Sequence, residues 1–122
     1  MNCRNIWIAL CLAGSLLAAD PAVDKAKKLL ADKKYDEAIT SLEAAHKAKP
    51  KSVEVQKELS EAYTLKGDSS MYNESAPPRQ RYPEALRAYR KAVENDKDNK
   101  KAKDNVALIE GIYKQMGRPV PQ

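Results

Sequence analysis

The chain has 122 residues, 32% of them charged and 43% hydrophobic, with 22 Lys and Arg against 17 Asp and Glu. That length makes one small domain the default, and a composition dominated by Ala, Lys, Glu and Leu favours solvated amphipathic helices. No run rich in Val, Ile and Thr lies between turn residues, which argues against a sheet-rich fold. The interleaved charge signs argue against the clustered basic stripe of a nucleic-acid binder. The expected fold class is all-α.

Residues 1–19, "MNCRNIWIALCLAGSLLAA", differ in kind from the rest. One positive charge, Arg4, precedes an apolar stretch from Ile6 to Ala19, and polar sequence begins at Asp20. A basic start, a short apolar centre and small residues at the end describe a secretory signal peptide cleaved after Ala19. The alternative is an uncleaved membrane anchor and a membrane-tethered helper, but the apolar stretch is shorter than the roughly 20 residues of a spanning helix. Cleavage removes Cys3, Cys11 and Arg4, leaving 21 basic residues against 17 acidic, a net of +4. The expectation is an exported protein, periplasmic or secreted, with no thiol chemistry and no membrane contact after cleavage.

Beyond Asp20 five helices are expected. Pro21 suits a first helical turn, and Pro50 follows the second helix. Gly67 reads as the stop of the third, Pro83 as the first turn of the fourth, and Gly117 with Pro119 as the end of the fifth, about 99–116, with 118–122 as a tail. In "YDEAITSLEAAHKA", Tyr35, Ala38, Ile39, Leu42 and Ala45 share one helical face. In "YPEALRAYRKAV", Tyr82, Ala85, Leu86, Tyr89, Ala92 and Val93 do the same. In the fifth, Val106, Ile109, Ile112 and Tyr113 line one side, with Lys103, Asp104, Glu110 and Lys114 outward.

The two central stretches repeat. Tyr35 and Tyr82, Glu37 and Glu84, Ala38 and Ala85, Leu42 and Tyr89, and Ala45 and Ala92 are each 47 residues apart. The preceding segments repeat at 34, Ala26 with Ser60 and Leu29 with Tyr63, so the offsets differ by 13. The extra residues are Ser69 to Arg81, within "SSMYNESAPPRQRY". Pro77 and Pro78 exclude a continuous helix there and favour an extended stretch. A connection of that length exceeds the usual roughly 2–8 residues between helices. Met71, Tyr72, Arg79 and Arg81 are residue types enriched at interfaces, which makes this loop a candidate partner-binding element. The competing readings are a loop that packs Met71 and Tyr72 back on its own hairpin and a loop without fixed structure.

This pattern resembles the tetratricopeptide repeat, a helix–turn–helix unit of 34 residues with small residues at helix crossings. The small positions are Ala26, Ser60 and Ala107 on first helices, and Ala38, Ala45, Ala85 and Ala92 on second helices. The resemblance covers roughly residues 20–116. It implies two hairpins, about 20–52 and 53–99, and a capping helix that closes the stack. It departs from the family at Lys25 and Lys97, where a Leu-like residue and a closing proline belong. It further implies a concave groove for a protein or peptide partner, lined by Val23, Asp24, Lys27 and Leu30 of the first helix, Lys57, Glu58, Glu61, Thr64 and Leu65 of the third, and Asp104, Asn105 and Leu108 of the capping helix. Read as plain surface chemistry, the same residues are a mixed-charge solvated face.

His46 is the single histidine. No second His and no retained Cys completes a metal site or a nucleophilic pair, so the sequence leads to no catalytic residues, no metal and no cofactor. The expected function is that of a non-enzymatic adaptor, monomeric or weakly self-associating, with a self-associating structural module as the alternative.

Overall fold

The computed structural model describes residues 20–122, so the leader read at residues 1–19 lies outside the described residues. Five helices follow: α1 (Pro21–Ala31), α2 (Tyr35–Ala48), α3 (Val53–Met71), α4 (Pro78–Asn95) and α5 (Lys100–Gln115). Among the described residues there is no strand, and the protein is all-α.

Local chemistry fixes the helix ends. The Asp20 side chain accepts the Ala22 N–H at 2.9 Å, Ser52 Oγ accepts that of Val55 at 3.3 Å, and Asn99 Oδ1 accepts that of Ala102 at 3.0 Å. Each relieves an otherwise unpaired donor of a first turn. Two helices close alike. Lys33 (φ 59°) and Gly117 (φ 64°) adopt left-handed backbone. The next N–H reaches back to Leu29 O in α1 and to Tyr113 O in α5, as in a Schellman cap.

Consecutive helices run antiparallel. Lys49 at the end of α2 pairs with Asp20 at the start of α1 at 2.8 Å, and Lys66 of α3 meets Asp36 of α2 at 2.6 Å. The Tyr89 hydroxyl of α4 donates to Asp68 of α3 at 2.7 Å, and Arg90 of α4 pairs with Glu110 of α5 at 3.1 Å. Helix α1 also lies against α3. Two apolar clusters result. Val23, Ala26 and Leu30 of α1 join Ala38, Ile39 and Leu42 of α2 and Val55, Leu59 and Ala62 of α3. Ala85, Leu86, Tyr89 and Ala92 of α4 join Ala102, Ile109 and Tyr113 of α5. Tyr63 of α3 packs against both. Burying the larger aliphatic side chains among them contributes roughly 1.5–3 kcal/mol each.

The structure departs from the sequence expectation in several places. Residues 69–81 do not form a 13-residue loop: three extend α3, four begin α4, and six (72–77) connect them. Six is an ordinary length for such a connection. Gly67 does not end α3 but lies inside it, against the Tyr89 ring. Pro83 is not in a first turn but inside α4; its missing N–H leaves the Arg79 carbonyl without an intrahelical donor. Ala107 is exposed rather than at a crossing, because its counterpart Ser60 is covered by α4 whereas among the described residues no helix covers this side of α5.

Two glycines within helices should respond oppositely to alanine. At Gly67 an added Cβ would lie 2.6 and 2.7 Å from Tyr89 ring carbons, and that ring is fully enclosed at 0% exposure and cannot swing aside. Gly67→Ala is expected to destabilise by about 1–3 kcal/mol through overpacking. At Gly111 a Cβ meets nothing within 4 Å, so Gly111→Ala is expected to stabilise by about 0.5–1 kcal/mol. Urea denaturation of both variants against the parent reads the two signs.

Candidate interaction surfaces

The face shared by α1, α3 and α5 carries charge in a defined order. On α3, Glu54, Glu58, Glu61, Leu65 and Asp68 recur every three or four residues and therefore share one side. The Asp20 N–H approaches Glu54 at 3.4 Å. Asp68 is engaged at both oxygens, accepting from the Tyr89 hydroxyl at 2.7 Å and from Lys101 Nζ. That second bond holds the Lys101 ammonium above the ordinary lysine range. Between these ends, Glu58 and Glu61 have no cation within ion-pair distance among the described residues. Partial burial raises the Glu58 carboxyl above its ordinary value; Lys27 opposes this, while Glu61 and Glu54 add repulsion.

The expected groove residues divide by burial. Lys27, Lys57, Glu61 and Leu108 are exposed and Asn105 is half-buried. Val23, at 1% exposure, does not line a groove, and neither do Leu30 and Thr64, at 9% and 1%. Leu30 points into the first cluster. Thr64 donates to the Ser60 carbonyl at 2.8 Å and accepts from Asn99 Nδ2 at 2.9 Å. These two residues are 34 apart and occupy the same turn position in α1 and α3, so one register error misplaced both. Glu58, half-buried, stands at the centre of the face.

The four residues expected on one loop are divided between two helix ends. Tyr72 caps α3 and is 69% exposed. Met71 packs against the second cluster. Arg79 and Arg81 belong to the first turn of α4. The Arg81 guanidinium stands 5.4 Å from the Tyr82 ring centre, a cation–π distance. Its Nε is enclosed without a hydrogen-bond partner.

Arg79 opens on a cleft of about 260 Å³ bounded by Pro78 and Tyr82 of α4, Tyr113 and Met116 at the end of α5, and Arg118 and Pro119 of the tail. The tail is held in place. Arg90 Nη1 donates to the Pro121 carbonyl at 2.7 Å, and Val120 packs against the second cluster. Sequence reasoning missed Tyr113, Met116, Arg118 and Pro119 as surface lining because "GRPVPQ" reads only as a helix stop.

His46 is half-buried, with Nδ1 unpartnered. No three His, Cys, Asp or Glu side chains converge to hold a metal ion among the described residues. No helix among them is long and apolar enough to cross a membrane.

Glu58 yields a pH-dependent prediction. Because its folded-state pKa is raised, its contribution to stability falls as pH rises through the carboxylate range and is least favourable at neutrality. Glu58→Gln is therefore expected to be neutral or stabilising at pH 7, by at most about 0.5 kcal/mol at this partly exposed position. The parent should regain the difference on acidification toward about pH 4, the ordinary carboxylate range. Thermal melts of both proteins across that range check it, and a loss of stability in the variant at pH 7 contradicts it.

Comparison of the chain with protein-family models, with curated proteins and with solved structures finds no match.

Proposed function

We propose that this protein is an exported, non-enzymatic adaptor with a tetratricopeptide-like stack of two hairpins and a capping helix. It holds a protein or peptide partner on the face of α1, α3 and α5 and at the 69–81 tip. The observation that carries the reading is the unpaired acidic centre of that face. Glu58, partly enclosed, and Glu61, exposed, sit at mid-helix and repel each other, where a stability-driven surface would place opposite charges. The repeat architecture has its own support. The Tyr63 hydroxyl of α3 donates to Glu43 of α2, and Glu110 of α5 pairs with Arg90 of α4. Both residues of the second pair lie 47 positions beyond those of the first, the offset of the sequence repeat. Export rests on the composition of residues 1–19 alone.

A second reading, self-association, draws on α5. Ser60 and Thr64 of α3 are buried. Their counterparts 47 residues on, Ala107 and Gly111, are exposed or half-exposed, a strip of small residues that a second copy could cover.

A photocrosslinker at Lys27 or Glu61 in the expressing cell tests the first reading. A discrete crosslinked partner is expected, and Glu58→Lys combined with Glu61→Lys should weaken its capture at least about tenfold, with stability changed by no more than about 0.5 kcal/mol. Absence of any crosslinked partner from this face and from the tip overturns it. Light scattering tests the second, since a strict monomer at high concentration excludes self-association. N-terminal sequencing of the exported protein tests the leader, because an intact Met1 in the membrane fraction overturns cleavage.

A further inference from the structure

The two parts of the chain that a two-hairpin stack does not need, the inserted residues 69–81 and the tail after Gly117, meet at one place. The inserted residues supply Pro78 and Arg79 beside Tyr82, and the tail supplies Arg118 and Pro119. With Tyr113 and Met116 they enclose the 260 Å³ cleft. Its walls are fixed before any ligand arrives. The left-handed Gly117 turns the chain, the Arg118 N–H closes on Tyr113 O at 3.0 Å, and Arg90 clamps the Pro121 carbonyl at 2.7 Å. A preformed site spares a ligand part of the ordering cost of binding.

The lining has one chemical character. Its floor is apolar and aromatic, with Tyr113 buried and Tyr82 half-buried, and its exposed rim carries Arg79 and Arg118. No carboxylate lines it. Neither guanidinium has an ion-pair partner among the described residues. The first turn of α4 adds to the same sign, carrying no acidic residue and no side-chain cap. An apolar floor between two free guanidinium groups complements an apolar side chain flanked by carboxylates.

We propose that this cleft docks an acidic internal segment of a partner protein, one aliphatic or aromatic side chain entering between Tyr82, Tyr113 and Met116 and flanking carboxylates meeting Arg79 and Arg118. The proposal rests on the protein-binding reading but concerns a surface separate from the acidic face of α3. Rim ion pairs set specificity and association rate more than affinity, so binding is modest and salt-sensitive. A phosphate ligand is disfavoured because the two cations stand at the rim, over an apolar floor.

The test titrates the full chain with end-blocked peptides, so that only side-chain carboxylates are present. One peptide carries a leucine flanked by glutamates, a second replaces the glutamates with glutamines, and a third replaces the leucine with alanine. The first is expected to bind, detected by calorimetry and by shifts of the Tyr82 and Tyr113 ring resonances. Each substituted peptide, and an increase to 0.5 M salt, should weaken binding about tenfold. Arg79→Glu with Arg118→Glu should abolish binding, the milder Arg79→Gln should weaken it, and Glu61→Lys should leave it unchanged. Equal binding by the glutamine peptide, retained binding by the double variant, no binding of the first peptide at millimolar concentration, or preferential binding of inorganic phosphate each overturns the proposal. Capture of a crosslinked partner at Glu61 that survives in a double variant unable to bind peptide would leave the adaptor reading standing alone. Peptide binding without any crosslinked partner in the cell would do the reverse.

Discussion

The contact on which the rest depends is that of Tyr89 with Gly67 and Asp68. The ring lies close enough to α3 that only a residue without a Cβ fits against it, and its hydroxyl donates to Asp68 at 2.7 Å. Burial is the main reason the phenol is held above its ordinary pKa, with Asp68 adding to it. The group is therefore a proton donor at neutral pH. Asp68 in turn accepts from Lys101, so one carboxylate joins α3, α4 and α5. The closeness of α3 and α4, the most extensive helix pair in the molecule, follows from a missing methyl group.

A second device ties the same three helices a few turns away. Ser60 donates to the Ala92 carbonyl at the end of α4 at 2.7 Å, and Asn99 Nδ2 donates to Ser60 Oγ and Thr64 Oγ1 at 2.8 and 2.9 Å. The other end of Asn99 caps α5. A buried polar group is tolerable only when its partners are present, and here each hydroxyl both donates and accepts. Asn99 thus sets where α5 begins. This seam also explains why Thr64 is not a groove residue: its hydroxyl is committed to holding α5.

What was legible in the sequence was periodic. The faces of α2 and α4, the alanines at their crossings and the cap at Gly117 follow from spacing and from the conformational range of single residues, and these lie where expected. What was not legible depended on partners distant in the chain. Gly67 carries the same local signal whether it ends a helix or admits a ring, and only Tyr89, 22 positions later, distinguishes the two. Leu30 and Thr64 were misplaced by a single turn position, because a register that puts one residue inward leaves its neighbour outward. In the candidate site, Lys27, Lys57, Glu61 and Leu108 were readable as surface. The Arg118 side of the cleft was not, since nothing local to "GRPVPQ" indicates that the tail turns back to α4.

The inserted segment has the same logic. Two antiparallel helices joined at one end can absorb extra residues only by lengthening together or by bulging between them. Bulging leaves backbone groups to water and orders nothing, whereas lengthening gives each added residue an intrahelical bond. Pro78 suits the first position of a helix, where its missing N–H leaves no bond unmade, so it marks where α4 begins. The added turns are not an ornament on a finished core, because Met71 packs into the second cluster and Arg81 lies half-buried over Tyr82. The extended α4 is also long enough to stand opposite the end of α5. That leaves a wall for the tail to face, and the cleft with its two arginines is the space between them.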